Sequence, residues 1–416
     1  MDSIRSVVKK SSPSDLVVAT IRKIIAMPPR AARIALKEMT KPSKKQRRWI
    51  KKVKSPEFKG AYIGYRMKYH SRKDAEKRIK DADLVIFKIH GGGFRVGHCT
   101  MYMSAFISWL KILKQKHDIN AVVVSVEYGL APVVSYPTPS LDCLSAYKHL
   151  VETLGVPGSK IIISGDSAGG ALALETLMRT YSPKMLENLD APRTNFSVQK
   201  PAGIFLSSPL VTAETSSNSW KEFNKTDIVS YQLAKLVIKE LLGGSSVNPD
   251  EVAILRLSHV QDRFDRFLPN NALVLMGDIE VMRDDISNIV TNIKNGECTN
   301  IELYSENYAH DWYFIREIVK KADKKMLFKY DEIFAEFSIK SIKEALLVPD
   351  IPPVHSVKST SISFNSNQNS ASSTSPVILS SDNNNLVNEL VTPLKEKTNL
   401  YDSATPVPLA KSIATF

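Results

Sequence analysis

Short apolar runs rich in β-branched residues recur along the middle of this chain, and most are followed by a segment of helical spacing. LVIFKIH (84–90), AVVVSVEY (121–128), KIIISGD (160–166), PAGIFLSSPLV (201–211), NALVLMGD (271–278) and IELYSE (301–306) read as strands. Their apolar residues are nearly continuous, which suits strands buried on both faces of a parallel sheet. Between them, MYMSAFISWLKILKQKHD, CLSAYKHLVETLG, ALALETLMRT, SYQLAKLVIKELLGG and DISNIVTNIKN carry apolar residues at helical intervals. This alternation predicts an α/β fold, a mostly parallel sheet wrapped by helices. AYIGYRMKYH, from Ala61, reads as an early strand, Asp284 as a helix cap, and 315–347 as a last long helix.

The two ends break this pattern. Residues 15–27, DLVVATIRKIIAM, predict an amphipathic helix capped by Ser14 and ended by Pro28 and Pro29. Packing over the core or its entrance is the expected use of that helix, ahead of a membrane-surface anchor. KPSKKQRRWIKKVK (41–54) has eight positive charges and no negative one, and reads as a solvated basic segment. Residues 212–267 are polar around one good helix and form a candidate cap insertion. Beyond Val348 the chain turns Ser/Asn-rich, a composition that cannot bury enough apolar surface to order itself. The expected organisation is therefore a basic arm with cap helices (1–59), an α/β domain (60–348) and a disordered tail (349–416).

Charge sharpens the division. The chain has 416 residues and a net charge of +13, but residues 1–80 hold 24 Lys and Arg against 6 Asp and Glu. The arm owns the surplus; the rest is mildly acidic. No nucleic-acid motif accompanies the basic run, so an anionic membrane surface is the expected partner in preference to nucleic acid. Cys99, Cys143 and Cys298 make no paired spacing, which fits a reducing compartment and no zinc site. MDSIRSVVKK shows no signal-peptide core, and no run approaches the ~18 apolar residues of a spanning helix. The expected location is cytoplasmic, peripheral on the cytosolic face of the endoplasmic reticulum or on lipid droplets.

The chemistry centres on GDSAGG (165–170). A strand, a sharp turn with serine at its apex and a helix form a nucleophile elbow. Gly165 and Gly169 flank Ser167, where a Cβ would collide with the turn. HGGG (90–93) also follows a strand, and glycine amides there can face a developing oxyanion. Ser167 needs a base to take its proton. His310, in NYAHDWYF, is the histidine expected on a loop after the last strand. Asp278 and Glu280, after LVLMG, are both placed to hold that histidine. Serine, then acid, then histidine is the chain order of α/β-hydrolases.

HGGGF, YGLAP, GDSAGG, the acidic loop GDIEVMRDD and His310 together resemble the hormone-sensitive-lipase family of α/β-hydrolases. Among its branches the chain is most similar to fungal steryl acetyl hydrolases and arylacetamide deacetylases. The resemblance spans about residues 60–345. It implies Ser167 as nucleophile, His310 as base, and Gly92, Gly93 and Ala168 as oxyanion-hole amides. The family's acid lies three residues after a small residue, a register that points to Glu280 rather than Asp278. YGLAPV departs from the family's YRLAPE at Gly129 and Val133, which puts in doubt the loop contacts of relatives. The implied activity is hydrolysis of a small hydrophobic ester, with no metal or organic cofactor and a preference for acetyl groups. Two other readings are a non-catalytic ligand receptor and a membrane-associated scaffold on the same fold. A receptor is expected to have lost Ser167 or His310.

Overall fold

A computed structural model describes residues 14–186, 199–243, 249 and 252–347. The predicted tail at 349–416 lies outside the described residues. Eight strands form one sheet in the order β1-β2-β4-β3-β5-β6-β7-β8. Six of them are parallel: β3 (Leu84–Ile89), β4 (Ala121–Val126), β5 (Ile161–Asp166), β6 (Gly203–Ser207), β7 (Asn271–Gly277) and β8 (Asn300–Glu306). The other two, β1 (Ile50–Lys54) and β2 (Lys59–Ile63), pair antiparallel at one edge.

β1 corrects the reading of 41–54 as a solvated run. Ile50 and Val53 are buried while Lys52 and Lys54 stay exposed. The lysines protect a sheet edge from further pairing, a common use of charge on an outer strand.

Strand alternation divides the core in two. Val85, Phe87 and Ile89 of β3, with Ile161 and Ile163 of β5, face one layer. That layer contains α3 (Arg72–Lys80), α5 (Thr138–Lys148), α6 (Ala168–Tyr181) and α9 (Arg283–Asn295). Leu84 and Ile86, with Ile162, face the other, which holds α4 (Met103–His117) and α10 (Lys324–Leu347). Trp109 of α4 and Phe334 of α10 pack there with ring centroids 4.2 Å apart. The parity follows from the two-residue repeat of a strand.

The additions lie beyond the strand ends. α1 (Ser14–Ala26) buries Val17, Val18, Ile21 and Ile24. The Ser14 hydroxyl donates to the Ile318 carbonyl at 2.7 Å. Pro28 and Pro29 do end α1, but Pro29 also begins α2 (Pro29–Thr40), a helix that the sequence reading lacks. Proline suits a first helical position because that N–H has no intrahelical partner. The described residues of 212–267 contain α7 (Asn218–Phe223), α8 (Tyr231–Leu241) and three short 3₁₀ turns.

Two boundaries move. α9 starts at Arg283, and Asp284 does not cap it; its carboxylate accepts the Ser219 amide at 2.8 Å. The last helix starts at Lys324 rather than near 315; turns and bends and a 3₁₀ turn at Lys321–Asp323 fill the chain before it.

Candidate active site

The elbow between β5 and α6 is tight. Ser167 has φ 49° and ψ −123°, a conformation that side chains rarely adopt. A Cβ on Gly165 would lie 2.2 Å from the Gly169 carbonyl, and one on Gly169 would lie 2.5 Å from those of Ile89 and His90. The close approach lets β3, β5 and α6 meet beneath the serine, which is why both positions require glycine.

β3 delivers the glycine loop to the same place. Gly92 and Gly93 have φ of 105° and 59°. Among the described residues, no protein acceptor takes the amides of Gly92, Gly93 or Ala168, and all three residues line the cavity above Ser167. The loop is held from below: the Asp166 carboxylate accepts the Gly91 amide at 2.9 Å and the Tyr102 hydroxyl at 2.5 Å.

His310 follows β8, and its Nε2 lies 2.9 Å from Ser167 Oγ. Its Nδ1 lies 3.7 Å from Glu280 Oε2. That oxygen accepts the Ser208 hydroxyl at 2.6 Å and the Gly277 amide at 3.1 Å. Glu280 Oε1 and His310 Nδ1 are among the buried side-chain atoms of the described residues that have no hydrogen-bond partner. Of the two acids that the sequence leaves open, Glu280 is the one beside the imidazole. Asp278 is half-buried, and its amide continues the β7–β8 pairing by donating to the Glu306 carbonyl at 2.8 Å.

Asp227 is an addition that sequence reasoning missed. Its carboxylate accepts the amides of His310 at 2.8 Å, Val281 at 2.9 Å and Ile228 at 2.7 Å. A residue from the segment between β6 and β7 thus holds both the histidine loop and the acid loop. No local pattern announces this, since its partners are backbone amides far along the chain.

Burial favours neutral forms throughout the site. It lowers the His310 pKa to about 4. It raises Glu280 to about 8, with the Asp227 carboxylate adding to the rise, and raises Asp227 itself to about 7.

Above these groups lies a largely apolar cavity of about 840 Å3. Val17 and Ile24 of α1, Trp220, Val237 of α8 and Met282 form part of its wall, and Lys41, Lys44 and Arg47 line it as exposed cations.

Residues 86–313, more than half of the chain, match the family described as alpha/beta hydrolase fold. The chain belongs to the α/β-hydrolase family. The chain is 26% identical over 238 residues to an esterase of Acinetobacter venetianus, covering 57% of this chain and 69% of the relative. It is 29% identical over 155 residues to the arylacetamide deacetylase of Rattus norvegicus, covering 34% and 38%. For several relatives the match spans only 16% to 38% of their length. A crystal structure of an esterase from the bacterial hormone-sensitive lipase family superposes with a TM-score of 0.56 at 22% identity, covering 80% of this chain and 99% of that one. The similarity is to the hormone-sensitive-lipase branch.

The YGLAPV departure has its own solution in this chain. Arg33 of α2 donates to the carbonyls of Leu130 at 3.2 Å, Ala131 at 2.6 Å and Arg95 at 3.0 Å. An arginine from the N-terminal arm anchors this loop, where the family's YRLAPE has one of its own.

Proposed function

We propose that this protein hydrolyses carboxylic esters through an acyl-enzyme on Ser167. The observation that carries the reading is the 2.9 Å approach of His310 Nε2 to Ser167 Oγ at the end of an apolar cavity. Ser167 Oγ attacks the ester carbonyl carbon while His310 Nε2 takes its proton. The carbonyl oxygen becomes an oxyanion and accepts from the Gly92, Gly93 and Ala168 amides. Each preorganised donor of this kind is worth ~3 kcal/mol of barrier. The intermediate then collapses; the alkoxide leaves with the proton from His310. Water, deprotonated by the same nitrogen, repeats the sequence on the acyl group. Glu280 serves as the acid that steadies the imidazolium.

The apolar walls support a hydrophobic alcohol, such as a steryl or aryl alcohol. The deacetylase name of the rat relative supports a short acyl group, acetyl first. The segment 212–267 serves as the cap over that cavity. Lys41, Lys44 and Arg47, with the exposed Leu16, Met27 and Ile34 of the same arm, support peripheral contact with an anionic membrane from which such esters partition.

The test is a panel of p-nitrophenyl esters from acetate to palmitate, with a steryl acetate, on wild type, Ser167→Ala and His310→Ala. Acetate is expected to lead, and each variant to lose ~10⁴- to 10⁶-fold in kcat. Turnover within tenfold of wild type in either variant overturns the nucleophile assignment. Palmitate turning over faster than acetate overturns the acyl preference.

A further inference from the structure

Lys88 stands next to the C-terminal end of β3 with its side chain fully buried. Its strand parity points it into the layer of α4 and α10, among aromatic rings; its Nζ lies 3.8 Å from the Phe314 ring centroid and 5.4 Å from that of Tyr102. A lysine is almost never fully buried without a partner. Its partner is Asp166, 2.5 Å away at Oδ1 and equally buried. Asp166 immediately precedes Ser167. Its second oxygen takes the Gly91 amide and the Tyr102 hydroxyl.

Three active-site segments converge on this ammonium. β3 leads from Lys88 directly into the HGGG loop. Asp166 belongs to the elbow. Asp311, next to His310, is fully buried and accepts the Ser207 hydroxyl at 2.8 Å. Burial pushes the Asp311 carboxyl well above the usual carboxylate range, Asp166 adds to the rise, and Lys88 opposes it. Burial lowers the Lys88 pKa, and Asp166 offsets it.

We propose that Lys88 is a positioning residue for the hydrolysis proposed above: by neutralising Asp166, it keeps that carboxylate seated on the Gly91 amide and so fixes the oxyanion loop against Ser167. The titratable groups facing this pair are Tyr102, which immediately precedes α4, Asp311 and His310 from the loop after β8, and His90 and Tyr128 from the loops after β3 and β4. None of these supplies a second fixed cation. Removing the ammonium therefore leaves Asp166 as a buried, unpaired carboxylate.

The consequence has a sign. In Lys88→Met the buried Asp166 carboxylate has no cation beside it, and burial without a counter-charge favours the protonated acid. Stability and loop geometry are therefore expected to deteriorate as pH rises. Wild type, with the ion pair intact, lacks this loss.

The experiment compares wild type, Lys88→Met and Lys88→Met/Asp166→Asn in two readouts across pH 5 to 9: Tm, and kcat and KM on p-nitrophenyl acetate. In the single variant kcat at pH 8 is expected to fall about 10²-fold, as ~1 Å of misplacement does, with KM changed by less than about threefold. The deficit is expected to shrink toward pH 5, and Tm relative to wild type to drop with rising pH. The double variant, whose amide is neutral at every pH, is expected to regain at least about tenfold in kcat at pH 8 and to lose the pH-dependent Tm deficit. A pH-independent deficit, or a double variant no better than the single one in Tm and kcat, overturns the proposal. If the single variant does not fold, a folded double variant supports the pairing and an unfolded one overturns it. Absence of ester turnover in wild type is a failure of the hydrolase reading instead, and the Tm series then decides the ion-pair claim alone.

Discussion

The Asp227 carboxylate accepts the main-chain amide of His310 at 2.8 Å, and its other oxygen accepts that of Val281, the residue after Glu280. One side chain therefore sets the separation of the imidazole loop from the acid loop. Asp227→Ala leaves buried amides unpaired, at ~1–3 kcal/mol each. The expected result is a kcat lower by about 10²-fold and a fall in Tm. Asp227→Asn retains one good acceptor oxygen and is expected to lie between. Steady-state kinetics with thermal melts checks this; wild-type kcat in the alanine variant would remove Asp227 from the site.

A second prediction separates the two acids. Glu280 is fully buried beside His310, whereas Asp278 is half-buried and pairs through its backbone with Glu306. Glu280→Gln is expected to cost ~10⁴ in kcat, as loss of a triad carboxylate does, and Asp278→Asn less than about tenfold. The measurement is kcat on an acetyl ester, with circular dichroism to confirm folding. The reverse outcome would make Asp278 the acid.

The pH dependence follows from burial. His310 must be neutral to act as base, and burial lowers its pKa to about 4. Activity lost through His310 is therefore expected to disappear near pH 4 rather than near 6.5. Glu280, held up to about 8, must ionise to steady the imidazolium. kcat/KM is thus expected to continue rising from pH 6 toward 8. Glu280→Gln should abolish that upper rise while leaving the acid limb. A flat wild-type profile from pH 6 to 9 would contradict it.

Arg95 connects the glycine loop to the roof of the cavity. Its guanidinium pairs with Glu240 of α8 at 2.6 and 3.1 Å and donates to the carbonyls of Ile25 and Met27 at the end of α1. Arg95→Ala is expected to loosen both helices. Breaking a buried pair from one side costs ~3–5 kcal/mol, so Tm should fall by several degrees. KM for a bulky ester is expected to rise about tenfold, with kcat on p-nitrophenyl acetate within about threefold. An equal loss of kcat on both esters would show that Arg95 acts on the chemistry rather than on the roof.

Much of this molecule is written locally. A continuous apolar run can satisfy itself only inside a sheet covered on both faces, so six parallel strands were legible from composition. Gly165, Ser167 and Gly169 were legible because a sharp turn forbids a Cβ at fixed spacing. His310 was legible from its place after the last strand. What tertiary structure decided is where groups distant in sequence meet. Asp227 binds amides, which every residue carries, so no residue type betrays its partners. Arg33 and Arg95 reach carbonyls for the same reason. β1 was hidden because its lysines obey an edge strand's need for charge rather than the alternation of a core. Glu280 and Asp278 follow the same strand, and only the direction of the chain after Gly277, bonded back to β8, carries one carboxylate to the imidazole and the other away. Lys88 was visible as a cation in an apolar run, but whether it was an error in the strand or a buried pair depended on Asp166, brought beside it by the β3–β5 pairing.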